Sequence, residues 1–335
     1  MTRIFQYEIL SADAGQTVND FLRSHGFSHH ITADLKRTAG AILLQRDAPV
    51  FPDQTSSVYM AQADLQLSSW TSVPVSVRLL EGDLLRITLS DRGTSKNVTP
   101  VKAALDILYE DEDILVIDKP ADMPVHPSIN NHDNTLANAV VWYYQQRGSD
   151  FVFRCINRLD RDTSGAVLIA KNALASSILS SDMKQRRIHR TYLAIVKGHV
   201  PEPGTVDAPI ARMENSILMR CVDPEHGEPA ITHYTPLQYK NDPDLTLLRL
   251  RLDTGRTHQI RVHMNELGFP LIGDYLYHPD RSLIGRQALH SHSLAFRHPV
   301  TGEELYFVCP MPADMCTLFQ IPPDRPPVSD DSAGS

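Results

Sequence analysis

Asp160 lies between Arg158 and Arg161 in the segment NRLDRDTSG, Asn157 to Gly165, which runs directly into the apolar AVLIAK. This spacing sets a carboxylate on a loop at the entrance of a predicted strand, where it can serve as a nucleophile or a general base. Neighbouring guanidinium groups favour the charged form of such a group. Asp, Thr, Ser and Gly are also ordinary turn formers, and Asp side chains commonly satisfy local backbone donors. Spacing alone therefore leaves a purely structural role for Asp160 open.

Two further segments combine residue types of this kind. In LDTGRTHQIRVHMNELG, Leu252 to Gly268, a strand end and a glycine turn precede a helix predicted to carry Ile260, Met264 and Leu267 on one face, closed by Gly268. Arg256, Thr257 and His258 then fall near the helix N-terminus, where unpaired N–H groups favour an anion such as phosphate. Arg261 projects from the first turns; plain surface charges are the alternative for both arginines. In RIHRTYLAIVKG, Arg187 to Gly198, basic residues lead into a strand with Tyr192, Ala194 and Val196 on one face. An aromatic beside basic residues suits base stacking with phosphate contact, although strand aromatics are usually core.

The pairs His258 with His263 and His290 with His292 do not match a metal-ligand spacing such as HExxH, so no metal is expected. The sequence contains neither a GxxxxGK[ST] loop nor a GxGxxG fingerprint, which gives nucleotide-driven and hydride-transfer reactions no support. The cysteines Cys155, Cys221, Cys309 and Cys316 form no CxxC pair, as suits a reducing compartment.

These residues need a scaffold, and 335 residues suffice for a large catalytic unit with a smaller module. With 42% hydrophobic and 21% charged residues the composition is that of a globular protein without a membrane span. The opening MTRIFQYEIL lacks the features of a secretory signal, so the expected location is the cytoplasm. A net charge of −8 argues against indiscriminate coating of nucleic acid. From Arg154 to Arg190, however, eight Lys or Arg residues face three Asp, a locally basic segment.

Residues 1–90 read as a small α/β domain. A helix there carries Val18, Phe21 and Leu22, a second runs through Ala33 to Arg37, a strand covers Ala41 to Leu44, and two strands in Val75 to Ser90 flank Glu81-Gly82-Asp83. Residues 46–71 have little periodicity, and the polar stretch 91–101 is the expected linker. Residues 102–320 form the second domain, with strands at Ile114 to Pro120, Ala166 to Lys171, Thr191 to Gly198 and Leu245 to Asp253, and helices at Leu136 to Gln146 and Ala173 to Gln185. The tail 321–335, rich in Pro, Asp and Ser, is expected to be disordered.

Together the segments resemble the pseudouridine synthases of the RluA type, which modify ribosomal or transfer RNA. The likeness rests on IDKPADMPVHPS at Ile117 to Ser128, RLDRDTSG at Arg158 to Gly165, RTYLAIVKG at Arg190 to Gly198, TGRTHQIRVH at Thr254 to His263, PLIGDYLY at Pro270 to Tyr277 and ALHSHSLAFRHPVTGEEL at Ala288 to Leu305. It spans roughly residues 102 to 314, with the motifs in the family's order. The resemblance implies an α+β fold: a mixed, mostly antiparallel sheet with flanking helices. It also implies that Asp160 is the essential carboxylate, that Tyr192 stacks on the target uracil, that Arg261 pairs with Asp160, and that Arg158, Thr163, Arg256, His258 and Leu289 contact the substrate. Asn157 stands where many relatives have His, and Asp122 where Gly is common. The N-terminal region is similar, less closely, to the small RNA-binding module that many relatives carry.

Converting uridine to pseudouridine breaks C1′–N1, turns the uracil and joins C5 to C1′ without net redox change, so no cofactor is implied. RNA is the implied partner, and the chain is expected to act as a monomer without a protein partner. Two rivals follow from the residues: a non-catalytic RNA-binding or ribosome-assembly protein, and a glycoside hydrolase pairing Asp160 with Asp162.

Overall fold

Val18, Phe21 and Leu22 form the buried face of helix α1 (Val18–Ser24), which starts where the Thr17 side chain accepts the Asp20 N–H. The computed structural model describes residues 1–46, 67–91, 93–95, 97–128 and 131–322. Most of the aperiodic stretch 46–71 and nearly all of the tail 321–335 lie outside the described residues. Helix α2 (His29–Arg37) is capped by Ser28. Both helices pack on an antiparallel sheet of order β1-β4-β2-β3, formed by β1 (Thr2–Glu8), β2 (Ile42–Arg46), β3 (Leu67–Ser72) and β4 (Leu84–Ser90).

Val75 to Ser90 does not form the expected hairpin: only its second half is a strand. Val77 and Val75 instead offer their carbonyls to the Val18 and Asn19 N–H groups, satisfying donors that the first turn of α1 would otherwise leave unpaired. The strand pairing goes to β1, which sequence patterning did not reveal. This sheet domain sits against the remainder of the chain: Leu174 joins its core, and the Ser177 hydroxyl donates to the Gly26 carbonyl at 2.9 Å.

The second sheet has nine strands in the order β5-β6-β7-β14-β8-β13-β12-β9, with β15 paired to β14. They are β5 (Asp106–Glu110), β6 (Ile114–Lys119), β7 (Ser164–Ala170), β8 (His189–Lys197), β9 (Gly204–Asp207), β12 (Ile231–Lys240), β13 (Leu245–Leu252), β14 (Leu289–Arg297) and β15 (Glu304–Val308). A small ribbon, β10 (Ile210–Arg212) with β11 (Arg220–Val222), stands beside it. The helices are α3 (Leu136–Gln145), α4 (Ala173–Lys184), α5 (Gln259–Glu266) and α6 (Ala313–Phe319). The sheet is mixed and mostly antiparallel, with β7 and β14 the parallel pair. Its central strands are continuous apolar runs because both faces are covered: Leu115, Val167 and Ala194 enter one core, Val116, Leu168 and Phe296 another.

The parallel join requires Gly165. Its φ is 108°, and a Cβ there would lie 2.2 Å from the Ser291 carbonyl oxygen, so only glycine lets β7 approach β14 this closely. Beside it, His290 Nε2 lies 3.1 Å from the Cys309 carbonyl and Nδ1 lies 2.9 Å from the Ser164 hydroxyl. A carbonyl only accepts, so Nε2 carries the proton and Nδ1 accepts.

Burial pulls the His290 pKa from 6.5 down to about 4. Between those values the unfolded chain binds a proton that the folded chain refuses, so stability present above about pH 6.5 is lost as the pH falls toward 4. The expected loss is of order 3 kcal/mol. Unfolding midpoints between pH 7 and pH 4 should fall less steeply in His290→Gln, whose amide preserves one donor and one acceptor; equal slopes would exclude His290 as their source.

Candidate active site

The Asp160 loop hangs between two fixed points. Asn157, buried at the entry to the loop, donates from Nδ2 to the Ala166 carbonyl at 2.9 Å and accepts the Leu168 N–H at 2.7 Å, which ties the loop to β7. An amide suffices for both bonds, so the departure at Asn157 leaves this anchor intact. At the other side the buried Lys119 ammonium donates to the carbonyls of Pro120 (2.7 Å), Met123 (2.8 Å) and Arg161 (3.1 Å), clamping the IDKP segment to the Asp160 loop. Asp122 adopts the left-handed conformation, φ 59°, in which glycine is easiest to place. Its carboxylate pairs with Arg161 instead, at 2.7 Å from Nε. Between the anchors, the Thr163 N–H donates to the Asp160 carbonyl at 3.2 Å, closing a tight turn.

Helix α5 brings Arg261 to this turn. The preceding loop is fixed by Gln259, which sequence reasoning missed: Oε1 accepts from the Thr254 hydroxyl and the Arg256 N–H, while Nε2 donates to the Ile231 carbonyl and the Thr232 hydroxyl. Ile260 and Met264 face the core as expected, but Leu267 does not. It is the C-cap of α5, 38% exposed, because the helix ends at Glu266.

Arg261 is 1% exposed and spans two carboxylates. Its Nε and Nη2 donate to Asp274 at 2.6 and 2.7 Å, a two-pronged contact with a fully buried acid, while Nη1 donates to Asp160 Oδ2 at 2.9 Å. Burial opposes the guanidinium charge, yet the bonds to Asp274 and the field of Asp160 outweigh it and raise its pKa above the usual arginine value. Asp274 is positioned by its own turn, its Oδ1 accepting the Leu276 and Tyr277 N–H groups. Asp274 and Tyr277 lie in PLIGDYLY, where an acid amid apolar residues was the available signal.

Asp160 itself is 26% exposed and lines a cavity of ≈ 590 Å³. Arg158, Thr163, Tyr192, Arg256, His258, Arg261 and Leu289 line it too, so the fold gathers every site residue expected from the sequence. Their engagements differ. Tyr192 and Leu289 are buried in the apolar wall, and burial pushes the Tyr192 phenol up, which keeps it neutral. Arg158 is exposed. Arg256 is already paired with Glu228 and donates to the Pro229 carbonyl at 3.1 Å. Thr163 is buried and accepts from Gln287 at 3.4 Å. His258, at φ 59°, places Nδ1 3.1 Å from the Tyr277 hydroxyl and Nε2 3.8 Å from Asp160. Its pKa is lowered chiefly by burial, against the pull of Asp160. Asp162 lines a different cleft, with Arg161, Tyr275 and Arg281, and so does not share the Asp160 cavity as the second acid of a glycoside hydrolase would.

Residues 113–266 match the family model described as RNA pseudouridylate synthase. The chain is 45% identical over 258 residues to the uncharacterized RNA pseudouridine synthase YjbO of Bacillus subtilis (strain 168), covering 77% of this chain and 90% of that protein. The chain belongs to the RNA pseudouridine synthase family. The synthase is also 40% identical over 236 residues to ribosomal large subunit pseudouridine synthase D of Escherichia coli (strain K12), covering 66% of this chain and 72% of that one. Among solved structures it resembles human RNA pseudouridylate synthase domain containing 1, with a TM-score of 0.52 and 28% identity over 62% of this chain and 83% of that chain. The synthase is thus an isomerase that acts on RNA, built on the α+β fold expected from the sequence. No helix among the described residues is long and apolar enough to cross a membrane.

Proposed function

We propose that the synthase converts uridine to pseudouridine in ribosomal RNA, with Asp160 as the carboxylate that starts the reaction. The observation that carries this is the Asp160–Arg261–Asp274 arrangement: a cavity carboxylate aimed by a guanidinium whose other edge is locked to a buried acid. The Arg261 hydrogen bond and the His258 approach to Asp160 both fall on Oδ2, so Oδ1 is available to the substrate, whether the first step is attack on the nucleoside or removal of a sugar proton. Tyr192 supplies an aromatic face on which the detached uracil turns without leaving, and Leu289 closes the pocket. Arg158, Thr163, Arg256 and His258 contribute the polar contacts of the nucleotide.

A base inside folded RNA must first be flipped out, at a cost of a few kcal/mol that contacts to the RNA backbone offset. The 40% identity to a large-subunit ribosomal RNA enzyme favours ribosomal over transfer RNA. The same reading has a single chain acting in the cytoplasm without cofactor or protein partner, since the isomerisation needs no redox equivalent and no energy source. Mapping pseudouridines across total RNA from cells with and without the gene tests it: at least one ribosomal pseudouridine should vanish. A map that changes only in transfer RNA would redirect the substrate assignment, and an unchanged map would refute the proposal.

A further inference from the structure

Arg190 brings to the cavity a charge that the roles above leave unanswered. It stands on β8 two residues before Tyr192, hence on the same face of the strand, and is 9% exposed. One edge of its guanidinium is held by backbone, Nη2 donating to the carbonyls of Thr254 at 3.1 Å and Leu252 at 3.5 Å. Its Nε is buried without a hydrogen-bond partner. Among the described residues no carboxylate forms a salt bridge with it; Asp253, which also lines the cavity, is engaged by Arg186 and His233.

The loop above Arg190 is shaped to admit the guanidinium. A Cβ on Gly255 would sit 3.0 Å from Nη1, closer than side chains ordinarily pack, so glycine at this point of TGRTHQ leaves the space that Arg190 fills. Lys184 and Arg186 line the same cavity. A buried cation with no counter-charge is stabilised by an anion that arrives with the ligand. Uracil is neutral and cannot fill that role. The RNA backbone can, with one phosphate per nucleotide.

We propose that Arg190 is a phosphate-binding residue that takes a backbone phosphate adjoining the flipped uridine, through the part of its guanidinium that lines the cavity. It thereby sets the depth at which the nucleotide enters beside Tyr192. This rests on the RNA isomerase reading above and adds the contact that registers the backbone in its site.

The test uses the full chain with Asp160→Asn, which prevents turnover, and a synthetic RNA hairpin whose loop is entirely uridine. Adding Arg190→Gln should weaken binding roughly tenfold. It should also lower the slope of log Kd against log salt concentration by about one, the signature of one lost phosphate contact. A residue that served packing alone would leave that slope unchanged, and this result would overturn the proposal. Replacing loop phosphates one at a time by neutral methylphosphonate should reveal one position that costs the parent affinity and costs Arg190→Gln nothing. If Arg190→Gln does not fold, Gly255→Ala, which displaces the guanidinium while keeping its charge, should reduce the penalty at that same position; parent-like penalties at every phosphate would overturn the assignment. A parent that binds the hairpin without salt dependence would overturn the phosphate site, whereas the RNA isomerase reading is tested separately by the pseudouridine map.

Discussion

Asp160→Asn should eliminate pseudouridine formation, by about 10⁴-fold or more, while leaving the fold and RNA binding in place. The substitution keeps an oxygen that can accept from Arg261 Nη1, now 2.9 Å from Oδ2, so the guanidinium does not lose its neighbour. What disappears is the negative charge and the basicity of the group facing the cavity. Among the described residues no second carboxylate stands ready: Asp162 lines the other cleft, and Asp253 is bound by Arg186 and His233. Single-turnover conversion of the ribosomal RNA identified by mapping, followed alongside filter binding of that RNA, separates chemistry from affinity. Turnover at the unsubstituted rate would remove Asp160 from the mechanism.

Asp274→Ala is expected to produce the largest loss of stability at the site, about 3–5 kcal/mol, and to abolish turnover as well. It deletes both bonds to Nε and Nη2 of a guanidinium that is 1% exposed, and strands that charge in the core. Arg261 then turns toward the remaining carboxylate or toward water, and the alignment with Asp160 is lost. The paired replacement Arg261→Met with Asp274→Leu removes the buried charges together and should recover most of the lost stability without restoring turnover. Urea unfolding midpoints and single-turnover rates on the three proteins decide the matter. Wild-type stability in Asp274→Ala would show that the acid contributes no compensation to Arg261.

Local patterning made much of the framework legible. The helix carrying Val18, Phe21 and Leu22 has a periodicity with one sensible buried face, and the strands around Val116, Leu168, Ala194 and Leu248 are short continuous apolar runs that call for burial on both faces. The motif block around Asp160 was legible for a different reason: the family likeness singled it out, where spacing alone left a turn former open. Long-range partners were not legible. β1 and β4 pair across more than seventy residues, and the segment before β4 gave up strand pairing to cap α1, which no local pattern encodes.

From the sequence alone came the residue types of the reaction and their order along the chain: a carboxylate on a loop, an aromatic on a strand and an arginine on a helix. Only the tertiary structure decided how they meet. It set Gly165 against the Ser291 carbonyl so that β14 could run beside β7, closed the Asp160 loop with Asn157 and Lys119, and placed Asp274 behind Arg261. It also separated the arginines: Arg256 pairs with the exposed Glu228, whereas Arg190 is left buried with an idle N–H. The physical reason is that charge compensation and strand approach depend on distance in space between residues far apart in the chain, whereas periodicity reports only which side of one element faces the core.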